Sequence, residues 1–319
     1  MTNRREFLAA IACGVPSIAL AAPSGKPLRG IFPIAQTPFT DDDKLDLDAL
    51  AEEVRFIHRG KVHGFVWPQL ASEWDTLSER ERLDGAEVVA STGKKLSPAI
   101  VLGVQAPDTA TAVRYAKHAE KAGADAIISL PPGGAKDHAA ILDYYRQIGN
   151  ATPLPLFVQA VGDMSVELLL EMYRAIPTLR YVKDEAGSPL LRFAKLHHES
   201  KGALKIFTGG HGKTLIDEMM RGFSGTMPAA SFADLYASTW NLWHEGKEKE
   251  ALAAFGNAAV LINEISVYPE GMKYVLCERG VFKTSRLRHP ASADQPHLDD
   301  EGKRVLHHTL SLMKPYLTA

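Results

Sequence analysis

Short apolar runs alternate with amphipathic stretches along most of the chain. Eight runs of strand length recur, at residues 31–36, 64–67, 99–104, 126–130, 156–160, 180–183, 205–208 and 225–227. Between them, apolar residues recur at helical spacing over residues 47–59, 79–91, 109–122, 138–149, 166–175, 190–199 and 214–221. The strand-length runs are almost continuously apolar, which is typical of parallel strands covered by helices. The pattern therefore predicts eight consecutive βα units.

The residues in front of the predicted helices are good helix caps. Asp46, Ser78, Asp108 and Ser165 each precede a helix, and Glu81 follows Ser78 at capping-box spacing. Eight βα units in a row favour a closed (β/α)₈ barrel over an open doubly wound sheet. No Gly-x-Gly-x-x-Gly pattern follows the first strand, which argues against a dinucleotide-binding fold. We therefore predict an α/β protein with a TIM barrel.

Strand-length runs stop after residue 232. Four further helices are predicted, at residues 235–245, 247–265, 269–278 and 301–312. No repeat, low-complexity tract or linker divides the chain. We expect a linker over residues 22–29, the barrel over 30–245 and a C-terminal helical extension over 246–319.

The N-terminus has the features of an export signal. Two arginines at residues 4–5 are followed by a weakly apolar stretch and by a small-x-small cleavage site at residues 19–21. We expect residues 1–21 to be a twin-arginine signal peptide. The mature protein would then be periplasmic or exported, without a membrane attachment after cleavage.

Composition and charge exclude several classes of partner. The formal net charge is -2 and no block of basic residues stands out, which argues against nucleic acid and anionic membranes. No Cys/His cluster has zinc spacing, so we predict neither a metal nor a cofactor. Cys13 falls within the predicted signal, and Cys277 alone cannot form an internal disulfide.

The stretch from Leu179 to Gly187 carries the candidate chemistry. Strand alternation places Tyr181, Lys183 and Glu185 on one face and Asp184 on the other. TIM-barrel enzymes perform their chemistry at the C-terminal ends of the strands. Burial there favours the neutral amine that attacks a carbonyl. We predict that Lys183 forms an imine with a 2-oxo acid and that Glu185 transfers protons; the alternative is a surface ion pair.

Short motifs along the barrel carry a family resemblance. They are Gly30-Ile31-Phe32-Pro33, Thr37-Pro38-Phe39, Leu45-Asp46, Gly123-Ala124-Asp125 and Pro131. These motifs resemble the dihydrodipicolinate synthase and N-acetylneuraminate lyase superfamily, from about residue 30 to the C-terminus. The resemblance implies a (β/α)₈ barrel with a helical extension and a homo-oligomer, expected to be a tetramer. It also implies a Schiff base at the end of the sixth strand, where Lys183 falls.

The chain departs from the family pattern at positions that handle protons. The family carries Gly-Thr-Thr-Gly-Glu after the second strand, whereas residues 69–73 read Gln-Leu-Ala-Ser-Glu, so both threonines are missing. The tyrosine of the fifth strand is replaced by Gln159, and the one after the fourth strand would fall at Gly133. The arginine of true dihydrodipicolinate synthases is missing from residues 160–165.

A second set of motifs is similar to one branch of that superfamily. They are Ser72-Glu73, Pro131-Pro132, Phe157-Val158-Gln159, Lys183-x-Glu185 and Arg288-His289-Pro290. They resemble the 2-keto-3-deoxy-L-arabonate dehydratase group, which converts a 2-oxo-3-deoxy sugar acid to an oxo-acid semialdehyde. Ala160 stands where that group carries a carboxylate, which leaves the sugar open.

The residue types favour dehydration over aldol cleavage. An imine at C2 acidifies the C3 protons, and Glu185 can act first as the base at C3 and then as the acid for the C4 hydroxyl. Retro-aldol cleavage needs a base for the C4 hydroxyl proton, and Gln159 cannot take a proton. An ionised Glu185 would hold the amine charged, so we expect either a protonated carboxyl or a gap of a few ångströms. An aldolase and a catalytically idle sugar-acid-binding barrel remain as alternatives.

Two loops supply the predicted substrate-binding residues. Backbone amides after the second strand can hold the substrate carboxylate, at Leu70, Ala71, Ser72 and Glu73. Glu73 has an alternative role as a buried, paired carboxylate. The loop after the seventh strand is a second candidate because barrels often bind anions there; its residues are Gly209, Gly210 and His211. His211 is either a ligand contact, a proton carrier or an ordinary loop residue.

Overall fold

Eight parallel strands form the barrel in the computed structural model, which describes residues 25–133, 137–289 and 296–319. The predicted signal peptide and Pro290 lie outside the described residues. The strands are β1 (Gly30–Ile31), β2 (Gly64–Trp67), β3 (Ala99–Gly103), β4 (Ala126–Ser129), β5 (Leu156–Ala160), β6 (Leu179–Asp184), β7 (Lys205–Thr208) and β8 (Gly225–Thr226). Their order is β1-β8-β7-β6-β5-β4-β3-β2, which confirms the predicted TIM barrel.

The segment after β1 closes the barrel with isolated bridges instead of a long strand. Ile34 bridges Val66 on one side and Ala229 on the other. The N–H of Ala35 donates to the Val66 carbonyl at 2.9 Å, and the N–H of Val66 donates to the Pro33 carbonyl at 3.1 Å. The sequence predicted a strand over residues 31–36. The strand is shorter because Pro33 has no N–H to continue the ladder.

Aromatic side chains fill the N-terminal half of the barrel. Phe157 stacks on Tyr181 at a centroid distance of 4.3 Å, and Phe32 meets Phe207 edge-on at 5.3 Å. Gly225 leaves room for this packing, because a Cβ there would lie 2.4 Å from the Phe207 ring. The filled lower half leaves the C-terminal end of the barrel as the end where a cavity can form.

The helices follow the strands as the pattern predicted. They are α1 (Leu47–Arg59), α2 (Glu79–Gly93), α3 (Thr109–Ala122), α4 (His138–Ala151), α5 (Val166–Ala175), α6 (Pro189–Glu199), α7 (Leu215–Arg221), α8 (Ala233–His244), α9 (Glu248–Ile265), α10 (Gly271–Glu278) and α11 (Asp300–Met313). The four predicted caps, Asp46, Ser78, Asp108 and Ser165, each accept a hydrogen bond from the first turn. None of the helices within the described ranges has the length and apolarity to span a membrane.

A buried ion pair fastens the helical extension to the barrel. Arg279, the residue that caps the C-terminus of α10, donates to both carboxylate oxygens of Asp234 in α8, at 2.9 and 2.8 Å. Both side chains are almost completely buried. The N–H of Thr318 also donates to Asp234 at 2.8 Å, and Arg279 donates to the carbonyl of Ala319. One carboxylate therefore joins α8, α10 and the C-terminal residues.

Asp234→Ala should destabilise the protein strongly, because it leaves the Arg279 guanidinium buried without its counter-charge. Breaking such a pair costs about 3–5 kcal/mol. Chemical denaturation followed by circular dichroism measures the loss. Asp217→Ala is the matched control, because its pair with Arg221 is exposed and should contribute less than about 1 kcal/mol. Equal losses in the two variants would show that the Asp234 pair does not hold the extension.

Candidate active site

Lys183 lies near the C-terminal end of β6 and points into the barrel mouth. Its side chain is buried, with a relative exposure of 5%. The next residue, Asp184, points the other way and accepts a hydrogen bond from Arg192 of α6 at 2.8 Å. The alternation predicted for this strand is therefore present, and the outward ion pair fixes the end of β6 against its helix.

Glu185 is in direct contact with the lysine. Its Oε2 lies 2.9 Å from the Lys183 Nζ and accepts a hydrogen bond of 2.6 Å from the Gln159 side-chain amide. The backbone N–H of Gly210 donates to Oε1 at 3.2 Å. The sequence analysis allowed a gap of a few ångströms between the Glu185 carboxyl and the Lys183 amine, and this gap is not present. The three residues named as catalytic candidates form one hydrogen-bonded group.

Opposing effects determine the pKa of Glu185. Burial raises its pKa, but the charge of Lys183 and the hydrogen bonds from Lys183, Gln159 and Gly210 outweigh burial and lower the pKa below its ordinary value of 4.5. The carboxyl is therefore ionised near neutral pH before a ligand binds. Its lone pairs lie within reach of the proton on the lysine.

Gly209 makes the position of Glu185 possible. A Cβ at residue 209 would lie 1.8 Å from the Oε1 of Glu185. The carboxylate thus occupies the space that a side chain would take on the β7 loop. Gly209 allows this position of Glu185 because it has no side chain, and Gly210 stabilises it by donating its backbone N–H to the carboxylate.

A cavity of about 170 Å³ opens in front of the lysine. Its lining residues are Ile34, Leu70, Ala71, Lys183, Glu185, Gly210, His211, Met227, Pro228, Ala229 and Met272. An engineered cavity of about 150 Å³ holds benzene, a molecule of six carbon atoms. Pyruvate also has six non-hydrogen atoms, so the space suits a small 2-oxo acid. The ion pair therefore faces open space.

The loop after β2 contributes two of its four predicted residues to the cavity. Leu70 and Ala71 are the first residues of a short 3-10 helix, Leu70–Ser72, and line the cavity. The first N–H groups of a helix have no acceptor within it, so their amides suit a carboxylate. The Ser72 hydroxyl instead donates to the carbonyl of Ala35 at 2.5 Å, and accepts from the N–H of Gln69.

The sequence left two roles open for Glu73, a substrate contact and a buried, paired carboxylate. In the structure it is paired. It ends the short helix in a left-handed conformation, with φ of +52°. One carboxylate oxygen contacts Lys273 of α10 at 2.5 Å, and the other accepts hydrogen bonds from the N–H groups of Arg288 and His289. Glu73 is not among the residues that line the cavity. Its role is to fix the β2 loop to the helical extension.

His211 lines the cavity from the β7 loop. Its backbone is left-handed, with φ of +61°, between Gly210 and Gly212, which also have positive φ. The Tyr236 hydroxyl of α8 donates to the His211 carbonyl at 2.5 Å. Burial lowers the pKa of the imidazole, and the charge of Lys213 acts in the same direction. The loop thus holds a mainly neutral histidine in a strained conformation beside the lysine.

Several cavity residues were missed by the sequence predictions. Ile34 and the residues at 227–229 follow β1 and β8, so the rule that barrel chemistry lies at strand C-termini could have identified them. Met272 comes from α10 of the extension, and no local signal points to it or to the neighbouring Lys273, which contacts Glu73. Burial lowers the pKa of Lys273, which the charge of Glu73 only partly offsets.

A second cavity lies at the same end of the barrel. It has a volume of about 730 Å³ and is lined mainly by the loops after β2, β3, β4 and β5. It is larger than the Lys183 cavity, but none of Lys183, Glu185 and Gln159 lines it. Within the described ranges, no group of His, Cys, Asp and Glu residues is arranged to hold a metal ion. The Lys183 cavity is therefore the candidate active site.

Gln159→Leu should raise the pKa of Glu185, because it removes the hydrogen bond that stabilises the carboxylate. Lys183→Met should raise it further, because burial then acts without the opposing charge. Carbon-13 NMR of labelled glutamate side chains measures the titration. Gln147→Leu is the control. Gln147 is an exposed side chain of α4 that contacts Asp143, so this variant should leave the pKa of Glu185 unchanged. An unchanged Glu185 titration in Gln159→Leu would contradict the geometry.

The chain is similar in sequence to known proteins over most of its length. The family model described as the dihydrodipicolinate synthetase family matches residues 27–311. An uncharacterized DapA-like lyase of Halobacterium salinarum is 29% identical over 307 residues, which cover 92% of this chain and 97% of the relative.

Solved structures show the same fold. The dihydrodipicolinate synthase of Rhodopseudomonas palustris is 25% identical, with a TM-score of 0.79 over 89% of this chain and 97% of that one. YagE, a prophage protein of the dihydrodipicolinic acid synthase family from E. coli K12, was solved in complex with pyruvate. It has a TM-score of 0.81 at 20% identity, over 90% of this chain and 99% of that one. Because the family model spans most of its length, the chain belongs to the dihydrodipicolinate synthetase family.

Proposed function

We propose that the protein is a lyase that dehydrates a 2-oxo-3-deoxy sugar acid through an imine on Lys183. The observation that carries this proposal is the contact of 2.9 Å between the Lys183 Nζ and the Glu185 carboxylate at the edge of an open cavity. A buried lysine and a proton acceptor at this distance are what imine chemistry requires. The solved complex of YagE with pyruvate supports a 2-oxo acid as the ligand.

The first step makes the lysine nucleophilic. When a ligand displaces water from the cavity, transfer of a proton from Lys183 to Glu185 converts a charged pair into a neutral pair, which a dry site favours. The free amine attacks C2 of the oxo acid, and the oxygen leaves as water with one proton from the amine and the proton that Glu185 returns, which makes Glu185 a carboxylate again. The iminium carries the positive charge that the ammonium carried before. In this proposal the backbone amides of Leu70 and Ala71 hold the C1 carboxylate.

The second step uses Glu185 twice. As a carboxylate it removes a proton from C3, and the electron pair moves into the iminium to give an enamine. The enamine then expels the C4 hydroxyl, which leaves as water with the proton that Glu185 returns. In a substrate with a C5 hydroxyl, a proton shift from C5 to C3 gives the enol of a semialdehyde. Hydrolysis of the imine by water releases the product and the lysine.

The same geometry disfavours aldol cleavage. That reaction needs a base for the C4 hydroxyl proton, and the amide of Gln159 cannot take one. This amide already donates to Glu185 at 2.6 Å. No tyrosine, serine or threonine is among the residues that line the described cavity. This cavity therefore has no tyrosine or threonine relay for the C4 hydroxyl proton, whereas Lys183 and Glu185, which dehydration uses, both line it.

Two further features of the working protein are part of the proposal. The twin-arginine motif and the small-residue cleavage site at the N-terminus support export of the folded chain to the periplasm. Membership of this family supports a homo-oligomer, and we propose a tetramer. Light scattering of the purified mature chain measures the oligomeric state, and a monomer at micromolar concentration would contradict it.

Borohydride reduction in the presence of pyruvate should add a stable mass to the peptide that contains Lys183. The adduct should be missing in Lys183→Arg, which keeps the charge but has no amine of comparable nucleophilicity. With a 2-oxo-3-deoxy pentonate as the substrate, mass spectrometry should find a semialdehyde and no free pyruvate. Release of pyruvate would identify an aldolase. Binding without any adduct or turnover would identify an idle barrel.

Gly209→Ala should lower kcat by at least about a hundredfold, the lower range of a general acid–base contribution. The reason is that the new methyl group occupies the place of the Glu185 carboxylate. Gly256→Ala is the matched control, because a Cβ there meets no atom within 4 Å and alanine favours the α9 helix. Steady-state kinetics of both variants provide the measurement. Full activity of Gly209→Ala would remove Glu185 from the proposed chemistry.

A further inference from the structure

Five of the side chains that line the Lys183 cavity form an apolar wall. They are Ile34, Met227, Pro228, Ala229 and Met272. All five side chains present only carbon or sulfur atoms. They come from the segments that follow β1 and β8 and from α10. A part of a bound oxo acid that contacts this apolar wall therefore meets no side-chain donor for an anionic group.

No cation of the described structure lines the cavity except the lysine that reacts. Lys183 becomes the iminium, so its charge faces C2 of the substrate. Lys273 follows Met272 in sequence, but it is 1% exposed and contacts Glu73 and the Arg286 carbonyl. A second carboxylate on the substrate would lose its water at the apolar wall without gaining a counter-charge, which is costly.

His211 is the remaining polar side chain of the cavity. Neither of its ring nitrogens has a hydrogen-bond partner within the described part of the chain, although the ring is partly buried. The strained left-handed backbone and the bond from Tyr236 hold it in place. A neutral imidazole can donate one hydrogen bond and accept another. It is therefore matched to a hydroxyl.

We propose that the site selects monocarboxylic 2-oxo acids whose far end is uncharged, with His211 as the partner of a single substrate hydroxyl. The inference rests on the proposed function, because it assigns the substrate class of the same site. It excludes 2-oxo diacids, including the aldaric type of sugar acid, as good substrates. The specificity comes from the apolar wall and from one histidine.

The first experiment compares two oxo acids that differ only at the far end. 2-Oxopentanoate ends in a methyl group, and 2-oxoglutarate has a carboxylate in its place. The amount of borohydride-trapped imine on Lys183, measured by mass spectrometry across a range of ligand concentrations, gives the relative affinity without requiring dehydration. We expect 2-oxopentanoate to be favoured by about a hundredfold, because an unpaired buried charge costs more than an unpaired neutral group.

The second experiment isolates His211 with two variants. His211→Gly removes the imidazole and tolerates the positive φ, whereas His211→Asn keeps a hydrogen-bonding side chain that also tolerates this backbone. The trapped imine of 4-hydroxy-2-oxopentanoate should weaken by about tenfold in His211→Gly and partly recover in His211→Asn. The loss for 2-oxopentanoate, which has no hydroxyl, should be smaller, and circular dichroism of each variant controls for folding.

The outcomes separate this inference from the proposed function. Imines on Lys183 with equal yields from 2-oxopentanoate and 2-oxoglutarate would overturn the apolar-wall selection and leave the imine mechanism intact. An equal loss for hydroxylated and plain ligands in His211→Gly would overturn the role of the histidine. No imine with any of the ligands would overturn the proposed function and this inference with it.

Discussion

The contact between Lys183 and Glu185 is the interaction on which the site depends. A lysine in a barrel mouth reacts with a ketone only when its proton has an acceptor, and Glu185 provides that acceptor at 2.9 Å. Burial opposes the charge on the carboxyl, while the lysine and the amide of Gln159 favour it. The carboxyl is therefore ionised before a ligand binds, and a ligand that displaces water from the cavity favours transfer of a proton to it from the lysine.

The rest of the fold keeps this pair in place and open to a ligand. Aromatic side chains such as Phe157 and Tyr181 fill the lower half of the barrel, so the space lies above them. Gly209 provides the room for the carboxylate, and Arg192 anchors the outward-facing Asp184 on the same strand. Met272 of the helical extension lines the cavity that Lys183 faces. These contacts come from separate elements, so they hold the side chains of the site from several directions.

The sequence predicted the fold well because parallel barrels have a strong local signature. Continuous apolar strands, amphipathic helices and caps such as Ser78 are visible within short windows. The grouping of Lys183, Glu185 and Gln159 was also predictable, since strand alternation and the strand ends determine it. The paired role of Glu73 was one of two alternatives, but its partner was not predictable, because Lys273 lies 200 residues away. Only tertiary structure brings those two charges together, and the same holds for Met272 in the cavity wall.

The central claim is that the Lys183 nitrogen leaves its ion pair to bond with the carbon of a ketone. A crystal structure after soaking with pyruvate tests this claim most directly. The account predicts continuous electron density from the Nζ to C2 of the ligand, with the Glu185 carboxylate within hydrogen-bonding distance of the ligand. Pyruvate bound elsewhere, with the contact between Lys183 and Glu185 unchanged, would contradict it.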